Sequence, residues 1–498
     1  MKVTFYIAMI ALLFTATSCA KKTQTDPVAA ENAPAAENAP ASITYDGFEC
    51  SIRRPFKFTV TTDIENAPDE IKIFVAINNS GRYPIKYDLD CDSDGTYEFV
   101  GLTTSHYCTY KRNTGNHQIS IRGDIPAMIL CASQNNYCDT DDNKDCRFLP
   151  RRDASYIGKS VISIDDWGDI AWKSMFAFAM SCEALTAIPD SPPNLKDVTD
   201  MSCMFSWAES FNQPLEKWDV ANVKDMSRMF YGATSFNQPL EKWDVANVTN
   251  MSEMFREAIS FNQPLEKWNV ANVTDMSWMF YEARSFNQPL EKWNVANVTN
   301  MEMMFSDTNS FNQPLEKWDV ANVTNMYRMF YGARSFNQPL EKWNVANVTD
   351  MSGMFAKARS FNQLLEKWDV SNVTNMVAMF ALATSFNQPL EKWNVANVTD
   401  MSEMFEGATS FNQPLEKWNV ANVTGMMGMF RGAESFNQPL EKWDVSNVTD
   451  MLGMFSGATS FSHYPKSWVV PEGDSDDMFI GTKVEKLAEK KPLKTEKR

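Results

Sequence analysis

A 25-residue unit repeats through the middle of this chain, and nothing else in the sequence limits the fold as strongly. Tryptophan recurs at 218, 243, 268, 293, 318, 343, 368, 393, 418, 443 and 468, and one unit, from Phe236 to Ile259, reads FNQPLEKWDVANVTNMSEMFREAI. A strict period of roughly 20 to 50 residues marks a stack of small units, none of which buries its apolar side except against its neighbours. The pattern excludes a globular enzyme core over this stretch.

Each unit divides by its own hydrophobic pattern. In LEKWDVANV the apolar residues Leu240, Trp243, Val245 and Val248 stand among Glu241, Lys242 and Asp244, which predicts a short strand of a stacked parallel sheet. In TNMSEMFREA the residues Met251, Met254, Phe255 and Ala258 follow the i, i+3, i+4, i+7 spacing of one helical stripe, with Thr249 or Asn250 as N-cap. The expected fold is therefore an α/β repeat solenoid, a parallel β-sheet plus short helices, over residues 210–461. The less regular coils at 161–209 and 462–482 would cap it, ahead of a lysine-rich tail at 483–498.

This unit resembles that of BspA-type leucine-rich-repeat surface proteins of bacteria, whose variant reads FNQPLxxWDVSNVTNMSxMFxxA. The likeness runs from 201 to 461, with departures at Lys224, Thr308, Leu364 and Gly425. It implies a leucine-rich-repeat solenoid on a cell surface, often linked to adhesion.

The flanking sequence suits that location. Residues 1–19 combine Lys2, an apolar run from Val3 to Phe14 and small residues before Cys19, the form of a secretory signal. Its Ala16-Thr17-Ser18-Cys19 end resembles a bacterial lipobox, in which Cys19 would carry the lipid; ordinary signal cleavage is the other reading. Residues 20–42 include AAENAPAAENAPA, a composition that cannot bury a core and predicts a disordered tether. Residues 43–160 carry short alternating segments such as FKFTV and IKIFVAI between turn residues, which predicts a small all-β sandwich. Within it YDLDCDSDGTYE and HYCTYKRNTGNHQISIRG resemble a divergent PKD-type module, with Cys91 and His117 at positions that are usually aromatic. Such a module would act as a spacer.

Candidate chemistry is sparse. Asp88, Asp90, Asp92 and Asp94 alternate before Gly95, and Asp90 to Gly95 fits the opening of a Ca²⁺ loop. Position 12 of that loop is Gly101 instead of Glu, so a solvated acidic turn is the competing reading. Cys50, Cys91, Cys108, Cys131, Cys138 and Cys146 form an even cluster, which in an exported chain favours disulfides over a metal site. Cys182 and Cys203 read as core residues. Three histidines, His106, His117 and His463, lack a catalytic partner at any interpretable spacing, and the many M-x-x-M pairs read as core packing instead of copper ligands. No enzyme is expected.

Comparison of the repeats with one another separates two faces. The residue before the second Met of each unit varies freely: Cys203, Arg228, Glu253, Trp278, Met303, Arg328, Gly353, Ala378, Glu403, Gly428, Gly453. The strand slots instead hold Glu-Lys in ten successive units, beginning with Glu216-Lys217, Glu241-Lys242, Glu266-Lys267, Glu291-Lys292 and Glu316-Lys317. This ladder reads first as charge pairing between coils and second as a face for a repetitive ligand. The net charge of −17 and pI near 4.8 exclude nucleic acid as a partner. The resulting expectation is a lipid-anchored protein of the cell envelope, at the outer membrane or cell surface, attached to the membrane through its anchor only. Its repeats would bind a host or neighbouring-cell surface or matrix protein; a carbohydrate- or surface-polymer-binding structural protein is the alternative.

Overall fold

The computed structural model describes residues 54–77, 84–131, 158–475 and 477–496 in full, and the backbone alone of 16–21, 42–45 and 48–52. It contains two compact units, Met1–Ser174 with Ala184–Asp197, and Met175–Glu183 with Val198–Arg498.

The first unit is built of antiparallel sheets. Strands β1 (Ala16–Lys21), β2 (Ser42–Tyr45) and β3 (Phe48–Ile52) pair in the order β1-β3-β2. Strands β4 (Phe56–Thr61), β6 (Lys86–Asp90), β7 (Phe99–Leu102), β9 (Asn116–Asp124) and β11 (Val161–Asp166) form a five-stranded sheet ordered β11-β4-β9-β6-β7. Strands β5 (Glu70–Ile77), β8 (His106–Lys111) and β10 (Met128–Ile129) form a third, ordered β10-β5-β8. The period-2 alternation decides which side each residue takes: Phe56, Phe58 and Val60 of β4 are buried, as are Ile71, Ile73 and Val75 of β5. Phe56 packs edge-on against Trp172 at 5.6 Å. Tyr87 donates to the Thr104 carbonyl at 2.7 Å, and burial pushes its phenol up to about 12.

In the second unit neither the expected parallel sheet nor the expected helices form, and the α/β leucine-rich-repeat solenoid is not the architecture. The one α-helix among the described residues is α1 (Glu485–Lys490), near the C-terminus, and the short parallel pair β12 (Val469–Pro471) with β13 (Lys494–Glu496) also lies outside the repeats. Each 25-residue coil is instead a chain of tight turns. Val245–Val248 and Leu240–Trp243 close locally through N–H to carbonyl bonds of 2.9 and 3.0 Å, which interrupts the segment read as a strand. Between coils only single-residue parallel bridges occur, such as Asp225 to Asn250 and Asn250 to Asp275.

The segment read as a helix alternates its donors. Met254, Arg256 and Ala258 donate to the carbonyl three residues back, whereas Met251, Glu253, Phe255 and Glu257 donate to Asp275, Ser277, Met279 and Tyr281 of the next coil at 2.7–3.1 Å. Two residues in this run, Glu253 and Glu257, have φ of 58° and 57°. Each stands third in its four-residue turn, where type II geometry requires a left-handed residue. All eleven residues of the freely varying slot, from Cys203 to Gly453, share this conformation. They are turn residues and not positions on a helix.

The interior explains why turns prevail. Phe230, Phe255 and Phe280 stack at 5.6–5.7 Å, Phe236 and Phe261 at 6.0 Å, and Trp243 and Trp268 at 6.5 Å with planes 2° apart. A helix is about 10 Å across, so a helix on every coil would force this spacing open. Turns that lend half their donors to the neighbour hold the coils at the separation of stacked rings. The residues the sequence marked as inward, Leu240, Trp243, Val245, Val248, Met251, Met254, Phe255 and Ala258, are all buried, and Phe236 joins them in the interior. The Trp243 indole donates to the Leu215 carbonyl of the preceding coil at 2.9 Å, and the same bond recurs at 25-residue intervals up to Trp443. The run begins with Met175–Ser181, which donate to carbonyls from Asp200 to Ser206. It ends where Phe479 stacks on Phe455 at 5.7 Å.

Candidate functional site

Three faces of the coil are occupied in holding it together. Asn237 accepts from the Asn262 N–H at 2.9 Å and from the Gln263 side chain at 3.1 Å. Asn272 donates to the Ala246 carbonyl at 2.8 Å, and Thr274 to the Thr249 carbonyl at 3.3 Å. The alternating Asp/Asn position is an Asx turn, in which Asp244 Oδ1 accepts from Ala246 N–H and Asn269 Oδ1 from Ala271 N–H. Either residue type supplies the one oxygen needed.

The Glu-Lys ladder also runs from coil to coil. Lys242 meets Glu216 at 2.9 Å, Lys267 meets Glu241 at 3.1 Å, Lys292 meets Glu266 and Lys317 meets Glu291 at 3.0 Å, and Lys342 meets Glu316 at 3.1 Å. Lys217, in the first rung, has no preceding Glu of this set. The lysines are about three-quarters exposed, so each pair is screened and weak. Changing Lys342 to Gln will alter stability by less than about 1 kcal/mol in urea unfolding.

The remaining face is formed by the turns at 252–257 and their equivalents, and its side chains follow no rule of repetition. On it Trp207 meets Tyr231 at 4.6 Å, and Trp278 meets Tyr281 at 5.0 Å. The Arg256 guanidinium lies over Tyr231, Trp278 and Tyr281 at 4.8, 4.7 and 5.1 Å, and Arg328 lies over Tyr327 and Tyr331 at 5.0 and 5.2 Å. Trp207, Trp278, Tyr231, Tyr281, Tyr327 and Tyr331 are all half-buried. Burial, followed by the neighbouring Glu282, pushes the Tyr281 phenol up to about 12. Burial and Glu282 also raise the Asp307 carboxyl above its ordinary range. The indoles and phenols of this set end at Tyr331; later coils carry mostly small residues in the same slots, such as Ala378, Ala381, Gly428, Gly432, Gly453 and Gly457, with Arg431 there paired to Glu406 at 3.5 Å. Reading the sequence for single motifs missed this face, because its residues stand 25 apart in different coils.

The acidic loop of the first unit assembles differently from the expected set. Asp88 turns to Arg122 Nε at 3.0 Å and accepts from Gly101 N–H, and Asp94 caps Thr96. Asp90, Asp92 and Glu98 bring carboxylate oxygens within 4.8 Å of one another. Asp90 is buried and accepts from the backbone N–H groups of Asp92, Ser93 and Gly95, while Glu98 accepts from Cys91 N–H. Burial nonetheless raises the Asp90 carboxyl above the usual range. A Ca²⁺ ion takes about six to eight oxygens; the cluster brings three carboxylates together, each also accepting from the backbone of its own turn, and Asp88 and Asp94 stand outside it.

Cys91 and Cys108 form a disulfide across 17 residues, joining this loop to β8. Cys131 is also disulfide-bonded, and so are Cys182 and Cys203, which the sequence placed in the core without a covalent partner. The side chains of Cys19 and Cys50, together with Cys138 and Cys146, lie outside the described residues, as do residues 1–15 and most of the expected tether. Replacing Cys91 and Cys108 together by serine will destabilise the first unit by about 3 kcal/mol, measurable by urea unfolding under non-reducing conditions. His117 stacks on Tyr110 and His106 packs on Phe99, so both serve the sheet. No described helix is long and apolar enough to cross a membrane.

The second unit thus defines a repeat protein of stacked, turn-built coils with one variable aromatic face. Four stretches, 171–284, 262–368, 338–424 and 391–489, match the model of the family described as "Mycoplasma protein of unknown function, DUF285". Together they cover well over half of the 498 residues, and the chain belongs to this family. No curated protein and no solved structure matches it.

Proposed function

We propose that this protein is an exported, lipid-anchored repeat protein of the cell surface that binds a protein on a host cell, neighbouring cell or matrix through the variable face of its coils. One observation carries the reading: the asparagine, threonine and Glu-Lys columns make the same bonds between coils throughout, whereas the variable face bears Trp, Tyr and Arg side chains that change from coil to coil. Those three residue types dominate the energetics of protein interfaces. The lipobox-like end at Cys19 and the resemblance to BspA-type surface proteins support the location, and the N-terminal PKD-like segment would space the coils from the membrane. Half-buried Trp207 and Trp278 have Tyr and Arg packed against them, which suits a protein contact better than the flat platform a sugar ring would stack on. Purified protein binding to immobilised matrix proteins and to whole cells tests the reading. Trp278→Ser with Tyr327→Ser should abolish binding, and neutralising three ladder lysines should leave it intact; loss only in the ladder variant would move the site to the ladder.

A further inference from the structure

Arg328, Arg334, Lys357 and Arg359 are exposed and cluster on two adjacent coils. None of the four has a carboxylate within ion-pair distance among the described residues, although almost every other cation on the coils does. Two of them, Lys357 and Arg334, act on half-buried Asp307, whose carboxyl is nonetheless raised above its ordinary range by burial and Glu282. Beyond Tyr327 the surface turns acidic again at Glu302 and Asp350. Arg334 and Arg359 occupy the same slot of successive coils, and the rings of Phe330 and Phe355 fix the coil step there at 5.7 Å. Like charges that close repel one another, well inside the screening length of about 8 Å at physiological salt. Nothing within the repeat requires the repulsion: the same slot holds Ile259, Asn309 and Thr384 in other coils.

We infer that this patch, with Tyr327 and Tyr331 beside it, is the docking site for an extended, acidic segment of a partner protein lying along the stack. The inference rests on the protein-binding reading above and names the chemistry of the partner. Charge selects it: in a chain of net charge −17, four unpaired cations on one face mark where an anion is favoured. Geometry selects an extended peptide, whose alternate side chains lie about 6.6 Å apart on one face, close to the coil step. Guanidinium forks at Arg328, Arg334 and Arg359 suit bidentate capture of carboxylates, and Tyr331, already under Lys357, gives the peptide backbone a phenol to meet.

The test titrates the full chain with a labelled peptide of alternating Glu and Thr, a Lys-Thr control, and polygalacturonate as a carboxylated polysaccharide. The Glu-Thr peptide should bind and weaken steeply with added salt. Arg328→Gln, Arg334→Gln, Lys357→Gln and Arg359→Gln combined should weaken it by about tenfold or more, while Lys392→Gln with Lys417→Gln should not. These side chains are exposed, and a far-UV spectrum equal to that of the parent confirms the variant's fold. Absence of peptide binding at low salt, equal binding by the quadruple variant, or capture of polygalacturonate in place of the peptide overturns the inference. If cell binding is lost in the Trp278→Ser, Tyr327→Ser variant yet survives in the quadruple variant, protein binding stands and the acidic-segment assignment falls. If the intact protein binds no cell or matrix protein, the functional reading falls, and the peptide titration still decides the patch.

Discussion

Replacing Trp343 by alanine will cost the stack about 3–5 kcal/mol, the range for removing a buried aromatic from a packed core. The indole is 3 % exposed and lies between Trp318 at 6.5 Å and Trp368 at 6.4 Å, with Phe330 at 6.3 Å on its flank. Alanine leaves a cavity shared by three coils, and it takes away the donor that Leu315 uses at 2.9 Å. The coils contact only their neighbours, so the neighbours on either side cannot collapse into the gap without breaking register with the rest. Trp343→Phe separates the two contributions: it refills most of the volume but leaves the Leu315 carbonyl without its donor, and should cost about 1–3 kcal/mol. Urea unfolding followed by intrinsic fluorescence reads both. A weakened central rung should also divide unfolding into two transitions, one for the coils on each side. A single transition with a midpoint equivalent to less than about 1 kcal/mol of loss would refute the idea that the tryptophan column carries the stack.

That column was legible in the sequence, and so were eight inward positions of the repeat, though not the stacked Phe236, because burial depends on which residues are apolar and how often they recur. The type of backbone beneath them was not. Met251, Met254, Phe255 and Ala258 fall on one side of a helix at i, i+3, i+4 and i+7, but they fall on one side of a run of turns equally well when every fourth residue is left-handed. A cue was present. Glycine recurs at 353, 428 and 453 in the first left-handed slot and at 232, 332, 407, 432 and 457 in the second, a spacing of four that a helix would have no reason to keep. Reading the slot as freely variable concealed that glycine is the residue it tolerates most readily. The supposed strand failed for a related reason: Asp244 and its equivalents look like outward strand residues, yet their side-chain oxygens close a turn two residues on. Hydrophobic period reports what is buried, whereas turn chemistry at Gly, Asp and Asn reports the path of the chain between buried points.

The variable face was half legible. Its irregularity was visible in the aligned units, but its composition becomes meaningful only when stacking places Trp207, Tyr231, Arg256 and Trp278 beside one another across more than 70 residues of sequence. The ladder shows the converse. Its uniformity invited a functional reading, and the structure accounts for that uniformity with pairs between Lys n+26 and Glu n.

Within the variable face one carboxylate is indispensable, and changing Glu253 to Gln should cost about 3–5 kcal/mol, the usual penalty for breaking a buried charge pair from one side. Glu253 is 6 % exposed. Its Oε1 accepts from Arg228 Nε at 3.0 Å and Nη2 at 2.7 Å, and its Oε2 accepts from Arg256 Nη1 at 2.9 Å. Glutamine keeps the shape and the same backbone strain at φ 58°, so the substitution isolates charge. It also turns an amide donor toward one of the two guanidiniums, both of which can only donate. Two cations are then left side by side, Arg256 enclosed by Tyr231, Trp278 and Tyr281, with solvent reaching little of either. Combining Glu253→Gln with Arg228→Met removes one of the two stranded charges and should recover part of the loss, which a double-mutant cycle measures as a coupling between the two sites. Because the pair is buried, salt should change the result little, in contrast to the exposed ladder. A Glu253→Gln midpoint within about 1 kcal/mol of the parent protein would mean that the aromatic rings, and not the carboxylate, hold the arginines in place.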